Sequence, residues 1–131
     1  MADFTNLEVF HKAHALALNV IRVSLAMRGP VGLAIRGQMV RAALSAPTNI
    51  VEGSAKGSDR EFARFINIAI ASISELEYHL IVGRDTQLIS QRDFESLFHQ
   101  LVDVRKMLAG LQRRLKAGAT VKAGSRSAGS R

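Results

Sequence analysis

The chain reads as an all-α protein, an antiparallel up-down-up-down four-helix bundle, on three observations. Toward the C-terminus, Phe94, Leu97, Leu101, Val104, Leu108, Leu111 and Leu115 recur at alternating intervals of three and four, the heptad seam of a packed helix. Short breaks at residues 28 to 30, 53 to 58 and 85 to 90 divide the chain into four helix-length stretches. Two prolines, one Tyr and no Trp, set among abundant Ala and Leu, favour helix over sheet. Short turns then make neighbouring helices antiparallel.

Helix 1 is expected from Thr5 and Glu8, spaced as a capping box, to about Met27. Leu7, Phe10, Ala13 or His14, Ala17, Val20 or Ile21, and Ser24 or Leu25 keep its helical period, and Gly29-Pro30 ends it. Pro30 suits the first position of helix 2, where its missing N–H costs nothing. Gly53, Ser54 and Gly57 mark the second break, and Ser58 with Glu61 forms another capping box at the start of helix 3. Helix 3 is expected to reach Gly83 or Arg84. Phe62, Phe65, Ala69, Ser72, Leu76 and Leu80 mark one face, while Ile66, Ile68, Ile70 and Ile73 spread apolar surface around the rest. A helix apolar on two sides wants two partners, and a second copy of the chain is the natural one. Ser90 opens helix 4. With Phe94 at heptad position a, Arg105 falls at e, Lys106, His99 and Arg113 at f, and Arg114 at g, all outside the seam.

Helix 2 carries a polar stripe. Gln38, Arg41, Ser45, Asn49 and Glu52 are spaced three, four, four and three, so they share a face, with Val40, Ala43, Leu44, Pro47, Ile50 and Val51 assigned to the core side. Inside a helix Pro47 has no N–H for the Ala43 carbonyl and crowds it, at a cost of about 3 kcal/mol relative to Ala. On helix 3, Ser72, Glu75 and His79 form a matching polar line. Arg41 is expected to pair with Glu75, and Asn49 to satisfy backbone groups freed near Pro47. Such pairs fix the register of helices more than they add stability.

The net charge of +7 is unevenly placed. Residues 1 to 103 hold ten Lys or Arg against all eleven acids, whereas residues 104 to 131 hold eight bases and no acid. Arg105, Lys106, Arg113, Arg114, Lys116, Lys122, Arg126 and Arg131 therefore form a basic C-terminal region, the expected nucleic-acid contact. Residues 117 to 131, small, Gly- and Ser-rich and acid-free, are expected to be a flexible basic tail beyond a bundle of residues 1 to 116.

Chemistry is sparse. Without cysteine there is no disulfide or Cys-ligated metal. His11 and His14 share a face but lack a spaced carboxylate, Glu75 and Glu77 diverge two apart, and no phosphate-binding loop or nucleophile elbow occurs. No enzyme activity, metal or cofactor is expected. Asp3 and Glu8 stand where a secretory signal would be basic, and no apolar run is read as the ~20 residues of a membrane span, so a cytoplasmic protein away from membranes is expected.

A resemblance covers about residues 4 to 116. Ser45-Ala46-Pro47-Thr48-Asn49-Ile50-Val51-Glu52-Gly53 resembles the S-I-P-x-N-I-A-E-G signature of the S23 family, bundle proteins first known from intervening sequences in bacterial 23S rRNA genes. Phe4, Leu7, Val9 and Ala13 resemble its opening run, with Phe10 for the usual Trp. Phe62, Phe65, Ile68, Ala69, Ser72, Glu75, Leu76, Glu77 and Leu80 resemble its second block, and Met107, Leu108, Leu111 and Leu115 its closing helix. Val40 stands where an Arg pair usually begins and Ala71 replaces a Gly. The resemblance implies a ring-shaped homopentamer, and a related bundle is the accessory subunit of a retroelement reverse transcriptase.

Together these readings give a non-enzymatic homo-oligomer that binds nucleic acid, RNA in particular, through its basic end. The alternative is a protein-binding scaffold or accessory subunit whose basic tail meets an acidic partner.

Overall fold

In the computed structural model, which describes residues 3–129 and the side chains of residues 3–120, a 3-10 turn (Phe4–Asn6) leads into four helices. They are α1 (Glu8–Ser24), α2 (Gly29–Ser54), α3 (Asp59–Asp85) and α4 (Gln91–Gly129), with no strand among the described residues. The starts follow local chemistry. Ser58 and Ser90 cap α3 and α4, their hydroxyls accepting from the backbone N–H of Glu61 at 3.2 Å and Asp93 at 3.0 Å. Pro30 occupies the first turn of α2. At the N-terminus the cap is Asp3, not Thr5: Asp3 accepts from both the N–H and the hydroxyl of Thr5, which holds its carboxyl below the usual range. The capping box read at Thr5 and Glu8 is thereby replaced by a 3-10 turn, and α1 ends at Ser24, three residues before the expected Met27.

Neighbours in sequence are neighbours in space. α1 packs on α2, α2 on α3, α3 on α4 and α4 back on α1, and the diagonal pairs do not meet among the described residues. Gly53 lies against Phe62 and Phe65, Ser45 bonds Ser72, and Met39 approaches Gly83, so numbering falls along α2 as it rises along α3. The same opposition joins α3 to α4, through Asn67 with Gln112 and Glu77 with Arg105. These two registers, with Asn19 of α1 donating to Gln100 of α4 at 2.8 Å, make the bundle antiparallel.

All seven seam residues of α4 from Phe94 to Leu115 are buried, joined by Leu16, Val20, Met39, Ile50, Ile66, Ile73, Leu76 and Leu80. Burying each large aliphatic side chain contributes about 1.5–3 kcal/mol. The stripe of α2 sits slightly rotated from the sequence reading. Met39, Ala42 and Ala46 are buried with Ala43, Pro47 and Ile50, whereas Leu44 is 42% exposed and Val40 and Val51 are half-buried. On α3, Ile68 and Tyr78 are the exposed large hydrophobics.

Two further expectations change. The segment from Phe65 to Val82 contains only Glu75 and Glu77 as charges, so α3 is in fact long and apolar enough to cross a membrane by length and composition. Its Ile66, Ile73, Leu76 and Leu80 are instead buried within the bundle. The helix was also expected to end near Lys116, yet α4 continues to Gly129. Extending an existing helix needs no new nucleus, and Ala117, Ala119 and Ala123 favour it.

Gly53 is the tightest point of the α2–α3 contact, since a Cβ there would lie 2.8 Å from both a Phe62 ring carbon and the Phe65 Cβ. The Phe65 Cβ cannot swing aside. Gly53→Ala is expected to lower stability by about 1–3 kcal/mol, read as an earlier thermal transition by circular dichroism. An unchanged melting temperature would show that the two helices are free to separate there.

Candidate nucleic-acid interface

The basic region resolves into two groups. Lys106, Arg113, Arg114 and Lys116 are exposed on α4, and none forms an ion pair among the described residues. Gly110 contributes no side chain, and the guanidinium groups of Arg113 and Arg114 both lie back beside it. Lys106 and Arg114 line one groove with Leu7 and Glu8 where α1 begins. Arg105 is different. It is half-buried and donates to Glu77 across the α3–α4 contact, so its charge is already engaged. Position e of the heptad borders the neighbouring helix, which is why it leaves the outer face. Lys122 and Arg126 belong to the helical backbone of α4, but their side chains, like all of Arg131, lie outside the described residues.

Two cations that sequence reading did not single out join this end. Arg60 and Arg64, one turn apart at the start of α3, line a groove of about 700 Å3 with Lys116 and Thr120 of α4. Asp59 and Glu61 beside them made this segment look neutral in sequence. In space the two acids differ: Glu61, which also lines the groove, accepts from Arg64 at 3.2 Å, whereas Asp59 lies against Gly118, where a Cβ would lie 2.2 Å from its Oδ2, and forms no ion pair among the described residues. The groove is also lined by Asn67 and Gln112, with Gln112 donating to Asn67 at 2.9 Å.

The polar stripe separates into a ladder and a surface. Ser45 and Ser72 share a hydrogen bond of 2.7 Å across α2 and α3, and Ser72 also donates to the Ile68 carbonyl at 3.0 Å. Asn49 donates to the Ser45 carbonyl at 2.8 Å and to its hydroxyl at 3.1 Å. Each such bond contributes about 0.5–1.5 kcal/mol. Asn49 therefore serves the carbonyl one turn before it, not the Ala43 carbonyl that Pro47 leaves without an N–H, because a helical side chain reaches back three or four residues and Ala43 is six away. Gln38, Arg41, Glu52 and Glu75 are exposed, and the expected Arg41–Glu75 pair does not form. Glu75 turns to His79, one turn on, at 3.5 Å, while Arg41 lies back toward Gly37.

The N-terminal histidines have structural partners. His11 Nε2–H donates to the Thr5 carbonyl at 2.7 Å, and His14 stacks on Phe10 with ring centroids 5.8 Å apart. Among the described residues no three His, Asp or Glu side chains gather as a metal site would require.

Comparison with known proteins agrees with this architecture. A family model described as 23S rRNA-intervening sequence protein matches residues 5–110. The fold is similar to the crystal structure of a protein of unknown function from the S23 ribosomal protein family of Bacteroides thetaiotaomicron. That likeness has a TM-score of 0.72 at 22% identity and covers 79% of this chain and 97% of that one. No curated protein matches the chain.

The division between engaged and free charge is measurable. A double-mutant cycle on Arg105→Gln and Glu77→Gln, followed by urea unfolding, is expected to give a coupling of about 0.5–1 kcal/mol, reduced from a buried pair by the partial exposure of both groups. Arg41→Ala is expected to leave stability within about 0.5 kcal/mol of the parent, since an exposed side chain without a partner is removed.

Proposed function

The chain belongs to the 23S rRNA-intervening sequence protein family, and on that premise we propose that it is a non-enzymatic, homo-oligomeric, cytoplasmic bundle that binds RNA electrostatically. The observation that carries this is the set of four exposed cations on α4, Lys106, Arg113, Arg114 and Lys116, in a region without a single acid. Polyphosphate binding needs no more than closely spaced, solvated cations, because each contact releases condensed counterions. Arg60 and Arg64 extend the surface onto α3. Self-association is supported by exposed Leu44, Ile68 and Tyr78 on α2 and α3, with a pentamer favoured by the S23 resemblance. Several copies in one ring would multiply the phosphate contacts available to one RNA.

A second reading has its own observation. Residues 99 to 131 contain no Phe, Tyr or Trp, whereas single-strand binders stack bases on aromatic rings. An acidic protein partner, with this chain as scaffold or accessory subunit, would need only the charge.

Fluorescence anisotropy with a structured RNA across a salt series separates them. The parent is expected to lose affinity steeply with salt, and Lys106→Gln/Arg113→Gln/Arg114→Gln to lower the slope by about 0.7–0.9 per charge removed. Arg105→Gln is expected to leave the slope unchanged. No binding at low salt would overturn the RNA reading in favour of the acidic partner. Light scattering after size exclusion is expected to show several copies, and a 14.3 kDa monomer at all concentrations would overturn the oligomer.

A further inference from the structure

We propose that the groove between the start of α3 and the Gln112 to Thr120 stretch of α4 is a binding site for a nucleotide unit, its phosphate held by Arg60 and Lys116 and its base by Arg64 and Gln112. The groove's polar regions differ in chemistry, and Glu61, the carboxylate that also lines it, is answered by Arg64 at 3.2 Å. Arg60 and Lys116 line it from opposite helices and form no ion pair among the described residues, so their charge is available to a phosphate. Arg64 is held from two sides, by Glu61 at 3.2 Å and by the Phe65 ring, whose centroid lies 4.8 Å from the guanidinium. With its charge partly answered and 60% of its side chain exposed, it offers a flat guanidinium rather than a free charge. Nucleobases stack on such planes.

Gln112 supplies the observation that points to a ligand. It is only 7% exposed, its Nε2 donates to Asn67 at 2.9 Å, and its buried Oε1 has no partner. An acceptor left alone in such a place is costly, and a small turn of the Gln112 amide toward the groove it lines would let a ligand donor answer it. The bases of RNA all carry an N–H on the edge they use for pairing. The size agrees, since about 700 Å3 lies within the range of small-molecule pockets.

This goes beyond binding of RNA by the outer face of α4. The nucleotide unit has two sources, a free mononucleotide or one residue of a strand, and Lys116 is common to the groove and the basic face. Either source presents the same phosphate and base to the site.

Isothermal titration of the full chain with AMP, inorganic phosphate and a short single-stranded oligoribonucleotide tests it. AMP is expected to bind once per chain, at least tenfold more tightly than phosphate. Arg60→Gln should weaken AMP about tenfold, and Gln112→Met, which keeps the packing volume, should weaken AMP at least fivefold without changing phosphate. Oligoribonucleotide binding that AMP displaces and Arg60→Gln weakens would assign the strand as the source; AMP binding without such displacement would assign the free nucleotide. In the unmodified protein the side-chain amide resonances of Gln112 should shift on adding AMP, a readout that needs no variant to fold. Equal affinity for AMP and phosphate, or unshifted Gln112 amides at saturating AMP, overturns the proposal. Because Lys106, Arg113 and Arg114 are untouched here, loss of this site and loss of general RNA binding are told apart.

Discussion

The close approach of α2 and α3 is the constraint on which the other contacts rest. It is made by small residues along its length: Gly53 admits Phe62 and Phe65, Ser45 meets Ser72, and Gly83 lies beside Met39. Where large side chains would hold two helices apart, these positions let backbones approach and trade side-chain bulk for a hydrogen bond of 2.7 Å. Pro47, buried in the C-terminal half of α2, removes one backbone bond in the same stretch, and the Ser45, Asn49 and Ser72 ladder runs beside it.

Once α3 is placed, α4 takes its register from it. The apolar seam supplies most of the burial but repeats every seven residues, so a slip by one heptad would still pair Leu with Leu. Glu77 with Arg105 and Asn67 with Gln112 break that degeneracy, because a slip by one heptad in either direction loses the ion pair and sets one polar residue of α3 against an apolar one, Glu77 against Phe98 or Asn67 against Ala119. The price of that specificity is visible at Gln112, whose second amide atom has nothing to bond.

The fold was legible in the sequence where periodicity is strong and the residue types are unambiguous. The seam of α4, the Ser58 and Ser90 caps and the breaks between helices were all readable, and the two caps bond as the pattern implies. The polar residues were only half legible. A helical stripe tells which residues share a face but not how far that face is rotated from the core, and one step of rotation exposes Leu44 and buries Ala42 and Ala46. The cross-helix pair was less legible still: Glu75 had both Arg41 across the gap and His79 one turn away, and its carboxylate lies 3.5 Å from the buried His79 Nε2, which has no hydrogen bond, and not at Arg41. Arg60 and Arg64 were hidden because Asp59 and Glu61 balance them in sequence, although in space only Glu61 answers one of them, Arg64, while Asp59 lies against Gly118.

The uneven charge has a consequence for how this molecule meets a polyanion. Seven of the eight bases after residue 103 belong to α4, from its middle onward, and Arg60 and Arg64 sit at the same end, while the α1–α2 turn at the other end exposes Leu25, Val31 and Leu33. Such a separation is a molecular dipole. In the field of a polyanion such a dipole would feel a torque as well as an attraction, so the bundle would turn on approach with one pole leading. Orientation is then set before contact, over a distance of about one Debye length, roughly 8 Å at physiological salt. The apolar turn at the trailing pole faces outward into solution.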